Sequence, residues 1–148
     1  MGYWIFKLAE QELYPDVPGS IYGYDNRHST RVRAGDIFIY LDKRQGYSFT
    51  GTGGIRKIEE RAPTAVEMKQ RSKVRTIYTA VLEDVLWFDK PLSISSITKG
   101  GKRNRAQLGI IDVNLLGWSH SIPSLGEAMY QAIMDLAQSE NCKSRREP

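Results

Sequence analysis

Val32-Arg33-Ala34-Gly35-Asp36-Ile37-Phe38-Ile39-Tyr40, followed after a short gap by Phe49-Thr50-Gly51-Thr52-Gly53-Gly54-Ile55, is the stretch on which the fold turns. Ala34-Gly35 supplies a turn into an apolar run, Asp36–Asp42, that begins and ends on an acid and reads as a strand. Lys43-Arg44-Gln45-Gly46 then reads as a hairpin turn into a second strand over Tyr47–Thr50. Gly51, Gly53 and Gly54 allow a bulge or tight bend, after which Ile55–Glu59 continues as strand. Consecutive strands bent by glycine predict a curled sheet.

Upstream, Tyr3–Leu8 alternates aromatic and aliphatic residues and reads as a buried strand. Between it and the deciding stretch, Tyr14–Thr30 is broken by Pro15, Pro18, Gly19 and Gly23 and is expected to be a long ordered loop, a kind of segment that in compact domains is usually functional. Downstream, Pro63–Lys73 reads as a short helix with a weak apolar face. Val74–Glu83 returns to strand alternation, and Val85–Phe88 is a further apolar run ending before Asp89-Lys90-Pro91. The clearest helix is the last, where Ser124 and Glu127 have capping-box spacing and Leu125, Met129, Ala132, Ile133 and Leu136 share a face. Beyond Ser139 there is no aliphatic or aromatic side chain to bury, so residues 140–148 read as a solvated tail or linker and residues 1–139 as one domain. Strands dominate, with a helix in the middle and one at the end: the class is α+β.

A chain of 148 residues, 41% hydrophobic and 26% charged, is long and apolar enough for one buried core, which sets disordered and fibrous classes aside. Neither a leader nor an apolar run of spanning length is evident, and a single cysteine, Cys142, offers no disulfide framework. These features predict a reducing, cytoplasmic setting with no membrane partner. The net charge of +4 suits a polyanion, though charge alone is equally compatible with an ordinary basic surface.

Catalytic arrangements are poorly supplied. His28 and His120 have no metal-ligand spacing with Cys142 or with each other. Ser119-His120-Ser121 lacks an oxyanion-hole signature, and Gly51-Thr52-Gly53-Gly54 lacks the lysine and hydroxyl residue of a phosphate-binding loop. No cofactor and no metal are expected. A small hydrolase or transferase using His28 or His120 with Asp25 is the alternative from the enzyme class.

What remains is a loop inventory of rings and short polar groups. Tyr22, Tyr24, Asp25, Asn26 and Ser29 lie in the first long loop, Tyr47 and Phe49 on the hairpin, and Trp87 in the late apolar run. Flipped bases are held by aromatic faces while short polar groups read the base edge, so these eight are the candidate base-binding residues. The competing reading is that Tyr22 and Tyr24 plug a barrel end and that Trp87 packs with Phe88 in the core. Trp4 and Phe6 read as core, and Trp118 as support for the final helix. Cations interleave these segments: Arg27, Arg31, Arg33, Lys43 and Arg44 on one side, Lys99, Lys102, Arg103 and Arg105 in a basic glycine loop on another. All but Lys99 are carried forward as candidate phosphate contacts, which set affinity rather than sequence choice.

Gly19-Ser20-Ile21-Tyr22-Gly23-Tyr24, then the Gly35-Asp36 turn and strand, then Phe49 to Ile55, resembles in order and content the EVE branch of the PUA-like superfamily, related to YTH readers. Gly101–Arg105 and the closing helix fit the same pattern. The nearest likeness is to the N-terminal readers of modification-dependent restriction endonucleases that carry an HNH nuclease. That resemblance implies a PUA-like curled β-barrel with flanking helices, itself non-catalytic, that binds double-stranded DNA and flips 5-methylcytosine or 5-hydroxymethylcytosine into a pocket lined by Tyr22, Tyr24 and the residues after them. It also implies a covalently linked HNH nuclease beyond Pro148, since no HNH motif lies within the sequence. Tyrosines where YTH readers use tryptophan argue against an N6-methyladenine cage, leaving a YTH- or PUA-type RNA reader as the second binding alternative.

Overall fold

The computed structural model describes residues 1–8, 16–27, 29–45, 48–93 and 122–146, with side chains to residue 138 apart from that of Gln45. Strand β1 (Tyr3–Leu8) is followed by β2 (Ile21–Asp25), β3 (Ile37–Asp42), a 3-10 turn (Lys43–Gln45), β4 (Ser48–Arg61), α1 (Ala65–Gln70), β5 (Ile77–Ser93), β6 (Ser124–Leu125) and α2 (Glu127–Arg146). Among the described residues, six strands form one mixed sheet in the order β2-β5-β4-β3-β1-β6, in which only β1 and β3 pair in parallel.

Strand periodicity divides the core into two layers. On β1, Trp4, Phe6 and Leu8 point to one face with Phe38 and Tyr40 of β3, while Ile5 points to the other with Ile39 and Leu41. The first set is the inner layer, which also takes in Tyr22, Tyr24, Ile55 and Leu82. The Tyr22 ring on β2 stacks 4.2 Å from Phe6 on β1, and its hydroxyl donates to the Lys7 carbonyl oxygen, although four strand pairings separate β2 from β1. Contact between strands so far apart in the order requires the sheet to curl, as the glycine-bent strands predict. On the outer layer Phe49, Phe88 and Leu92 lie under α2, which buries Ile133 and Ala137 and packs Met129, Ala132 and Leu136 beside them.

Several expectations are corrected. The segment Tyr14–Thr30 is not all loop: Ile21–Asp25 pairs antiparallel with Ile77–Val81 of β5, its rings turned inward. The described part of the piece expected at 47–50, from Ser48, and the piece at 55–59 are one strand, β4, whose register against β5 slips at Phe49/Gly51, Thr52/Gly54 and Ile55/Lys57. Glycine thus bends the strand without ending it, as bulges do. The pieces expected at 74–83 and 85–88 are likewise one strand, β5, which begins only at Ile77, is carried past Asp84 by its left-handed backbone (φ 51°) and runs on through Pro91. The middle helix is the shorter Ala65–Gln70, capped by Thr64 and Glu67 in a reciprocal capping box. Ser124 does not cap the last helix; with Leu125 it pairs with β1, and α2 starts at Glu127 and runs to Arg146, into the stretch read as a tail. No helix among the described residues is long and apolar enough to cross a membrane.

Candidate nucleic-acid interface

Trp87 projects from β5 with its side chain half exposed. Its ring lies 5.2 Å from that of Tyr40 and 7° from parallel. Tyr40 is fully buried, and its hydroxyl accepts a hydrogen bond from the Gly19 amide, fixing the platform from below. Two glycines make room for the indole: a Cβ on Gly19 would stand 3.2 Å from it, and one on Gly51 3.0 Å. Gly19 also has φ +84°, a conformation that side chains disfavour. A rigid, backed, open aromatic face of this kind suits a planar ring.

The other rings expected to hold a base fall elsewhere. Phe49 is fully buried in the outer layer and presents no face, because its neighbours on β4 and β5 bring it beneath α2. Tyr22 is buried against Phe6 and its hydroxyl donates to the Lys7 carbonyl oxygen, the packing that the core reading of this residue expects. Tyr24 is also buried, but it lines a cavity shared with Tyr78. Tyr47 lies outside the described residues.

The short polar groups serve the backbone rather than an open pocket. Asp25 is fully buried, accepts from the Arg27 amide and binds its guanidinium at 2.8 Å. Asn26 Oδ1 accepts from the Arg75 and Thr76 amides, pinning the end of β2 to the segment entering β5. Ser29 Oγ accepts from the Arg31 amide. Such residues just after a strand make side-chain turns readily, which competes with base reading.

Among the expected phosphate contacts, Arg27 and Arg44 are tied two residues back to buried Asp25 and Asp42. Arg31 lies over the Trp4 ring at 5.6 Å, a cation–π geometry. Arg33 donates to the Thr30 and Val32 carbonyl oxygens. Lys43 sits in the 3-10 turn near Lys7, whose ammonium is pushed down to about 8 by burial and by Lys43. Lys99, Lys102, Arg103 and Arg105 lie outside the described residues, as do both histidines of the enzymatic alternative. The Arg31 and Arg33 loop is anchored by Asp36, which accepts from the Gly2 and Arg33 amides and from the Trp4 indole. Burial raises the Asp36 carboxyl, but these bonds outweigh it and hold the group below its ordinary range.

The fold has known counterparts. The N-terminal domain of Staphylothermus marinus McrB superposes with a TM-score of 0.60 at 12% identity, over 90% of this chain and 93% of that one. This chain shares its α+β fold with that domain and with the other PUA-like structures that superpose on it. Human THYN1, solved in complex with 5-methylcytosine containing DNA, superposes with a TM-score of 0.60 at 11% identity over 93% of this chain and 98% of its own. Rpa0253 from Rhodopseudomonas palustris matches with a TM-score of 0.53 at 14% identity, over 93% and 94%. No family model matches the sequence, and no curated protein matches it.

Tyr40 beneath Trp87, and Tyr78 and Glu60 in the cleft beside Tyr24, are not among the site residues expected from the sequence. Tyr78 and Tyr40 stand there only as strand positions, because their partners are set by cross-strand register. The alternation around Tyr78 could have marked it as sharing a face with Ala80 and Leu82.

Proposed function

We propose that the chain is a DNA-binding reader that takes a modified cytosine, 5-methylcytosine or 5-hydroxymethylcytosine, out of the duplex and holds it against Trp87. It is the specificity half of a modification-dependent restriction endonuclease, working in the cytoplasm and covalently linked to an HNH nuclease. The observation that carries the reading is the half-exposed Trp87 ring backed by Tyr40, on a fold shared with a protein solved on methylated DNA. Stacking on an aromatic contributes about 1–3 kcal/mol, enough to offset much of the few kcal/mol needed to extrude a base. Cations of the Arg31–Arg33 and Lys43 segments supply a phosphate-directed, salt-sensitive component.

The test is a titration of wild type, Trp87→Phe and Trp87→Ala against matched methylated, hydroxymethylated and unmodified duplexes and a single-stranded RNA. Wild type should prefer a modified duplex. Trp87→Ala should lose roughly tenfold on that duplex and little on plain DNA, with Trp87→Phe in between. Equal affinity of the wild type for all duplexes, or a preference for the RNA, defeats the reading.

A further inference from the structure

At the far end of the sheet from Trp87, β4, β5 and β2 run side by side. Register sets Glu60 opposite Tyr78, and Tyr78 opposite Tyr24. With strands about 4.8 Å apart, a carboxylate and two rings stand in a row roughly 10 Å wide. The two rings lie 5.1 Å apart and 23° from parallel. The segment before β3 lies beside this row with Val32 and Arg33, Ile58 adds an apolar wall, and together they line an open cleft of about 470 Å³. That is within the range of small-molecule sites.

Polar groups here lack partners. Tyr24 is 2% exposed, yet its hydroxyl bonds to none of the described residues. The oxygen itself reaches the solvent of the cleft, since Thr50 Oγ1 is the buried side-chain oxygen without a partner among the described residues, so it is open to an acceptor that enters there. Burial, assisted by Tyr78 and opposed by Arg33, pushes the phenol up and keeps it protonated. Glu60 makes no ion pair or hydrogen bond among the described residues, and Arg33 binds carbonyl oxygens with no carboxylate.

We propose that this cavity is a second nucleobase site, taking a base with an exocyclic amino group. A ring lying against Tyr78 meets a carboxylate on one side, which accepts from the amino group, and the Tyr24 hydroxyl and Arg33 on the other, which donate to ring nitrogens or a carbonyl oxygen. Tyr78 and Trp87 are nine positions apart on β5, up to roughly 30 Å along a strand, so one base does not touch both. The ligand is a free nucleotide or a base of a nucleic-acid strand, and the chemistry is the same for either.

The experiment is a titration of the whole chain with AMP, CMP, UMP and a short cytosine oligonucleotide, followed residue by residue by NMR. CMP and AMP should saturate shifts centred on Tyr24, Tyr78 and Glu60, with UMP roughly fivefold weaker or more, as a bond to a carboxylate implies. Glu60→Gln should erase the CMP over UMP preference, and the near-isosteric Tyr24→Phe should weaken AMP and CMP several-fold. Trp87→Ala should change neither, so the outcome is independent of the modified-cytosine reading. A much tighter oligonucleotide identifies a strand as the source, and equal affinity per base a free nucleotide. No saturation by any nucleotide, shifts centred on Trp87, or equal binding of UMP and CMP overturns the proposal.

Discussion

Tyr40 and Trp87 stack almost flat, 5.2 Å apart and 7° from parallel, with one ring fully buried and the other half in solvent. The exposed ring therefore inherits the rigidity of the inner layer. Gly51 makes the arrangement possible, since a Cβ there would stand 2.9 Å from the Leu86 carbonyl oxygen and 3.0 Å from the indole. The carbonyl belongs to the adjoining strand and cannot swing aside.

Gly51→Ala should consequently lower stability by about 1–3 kcal/mol and loosen the indole from Tyr40. Thermal melting reads the first effect and a change in tryptophan fluorescence the second. An unchanged melting temperature contradicts the close approach.

Lys7 predicts a pH dependence. Its folded pKa, about 8, lies below the ordinary lysine value because burial disfavours the ammonium, with Lys43 adding repulsion. Between pH 8 and about 10.4 the unfolded chain binds more protons than the folded one, so stability rises with pH across that interval. Lys7→Met should remove the rise and stabilise the protein at neutral pH, by an amount on the order of 1–3 kcal/mol. Chemical denaturation at a series of pH values measures both, and a slope that survives in Lys7→Met refutes the assignment.

The Asp25–Arg27 pair separates structural cations from those free to meet phosphate. Asp25 is fully buried and Arg27 supplies it with charge-assisted bonds at 2.8–3.3 Å. Removing the guanidinium leaves a buried carboxylate short of donors, so Arg27→Ala should cost about 1–3 kcal/mol. Arg33→Ala, whose side chain holds only carbonyl oxygens, should cost much less and should weaken DNA binding. Melting curves and duplex titrations of the two variants should thus rank in opposite orders, and the same order in both would contradict the division.

Much of the fold is legible in local pattern. The alternation of Tyr3–Leu8 and Ile37–Asp42 marks strands, and Gly51, Gly53 and Gly54 mark the bulges. Strand β2 escapes because Pro18, Gly19 and Gly23 dominate its surroundings, whereas its pairing with β5 depends on residues more than fifty positions away. The Ser124–Glu127 spacing imitates a helix start, but edge pairing with β1 claims Ser124 first. At the site the difficulty is one of face. Composition finds Tyr22, Tyr24, Phe49 and Trp87 alike, and only the curl of the sheet turns the first two inward, sends Phe49 under α2 and leaves Trp87 open. Asp25, Asn26 and Ser29 look like base readers because the side chains that read a base edge are those that cap a turning backbone.

The two-residue strand β6 has a consequence for the life of the chain before it is complete. Ser124 and Leu125 pair with Trp4 and Tyr3, and the Ile5 amide is bound by the Pro123 carbonyl oxygen, so part of the outer edge of the apolar β1 is covered by residues made more than a hundred positions later. Until they arrive, a nascent chain offers a neighbouring copy an unpaired, aromatic strand edge, the usual template for aggregation. Production of truncated forms ending before Pro123 should therefore be governed by self-association, and β6 acts as a late-arriving guard against it.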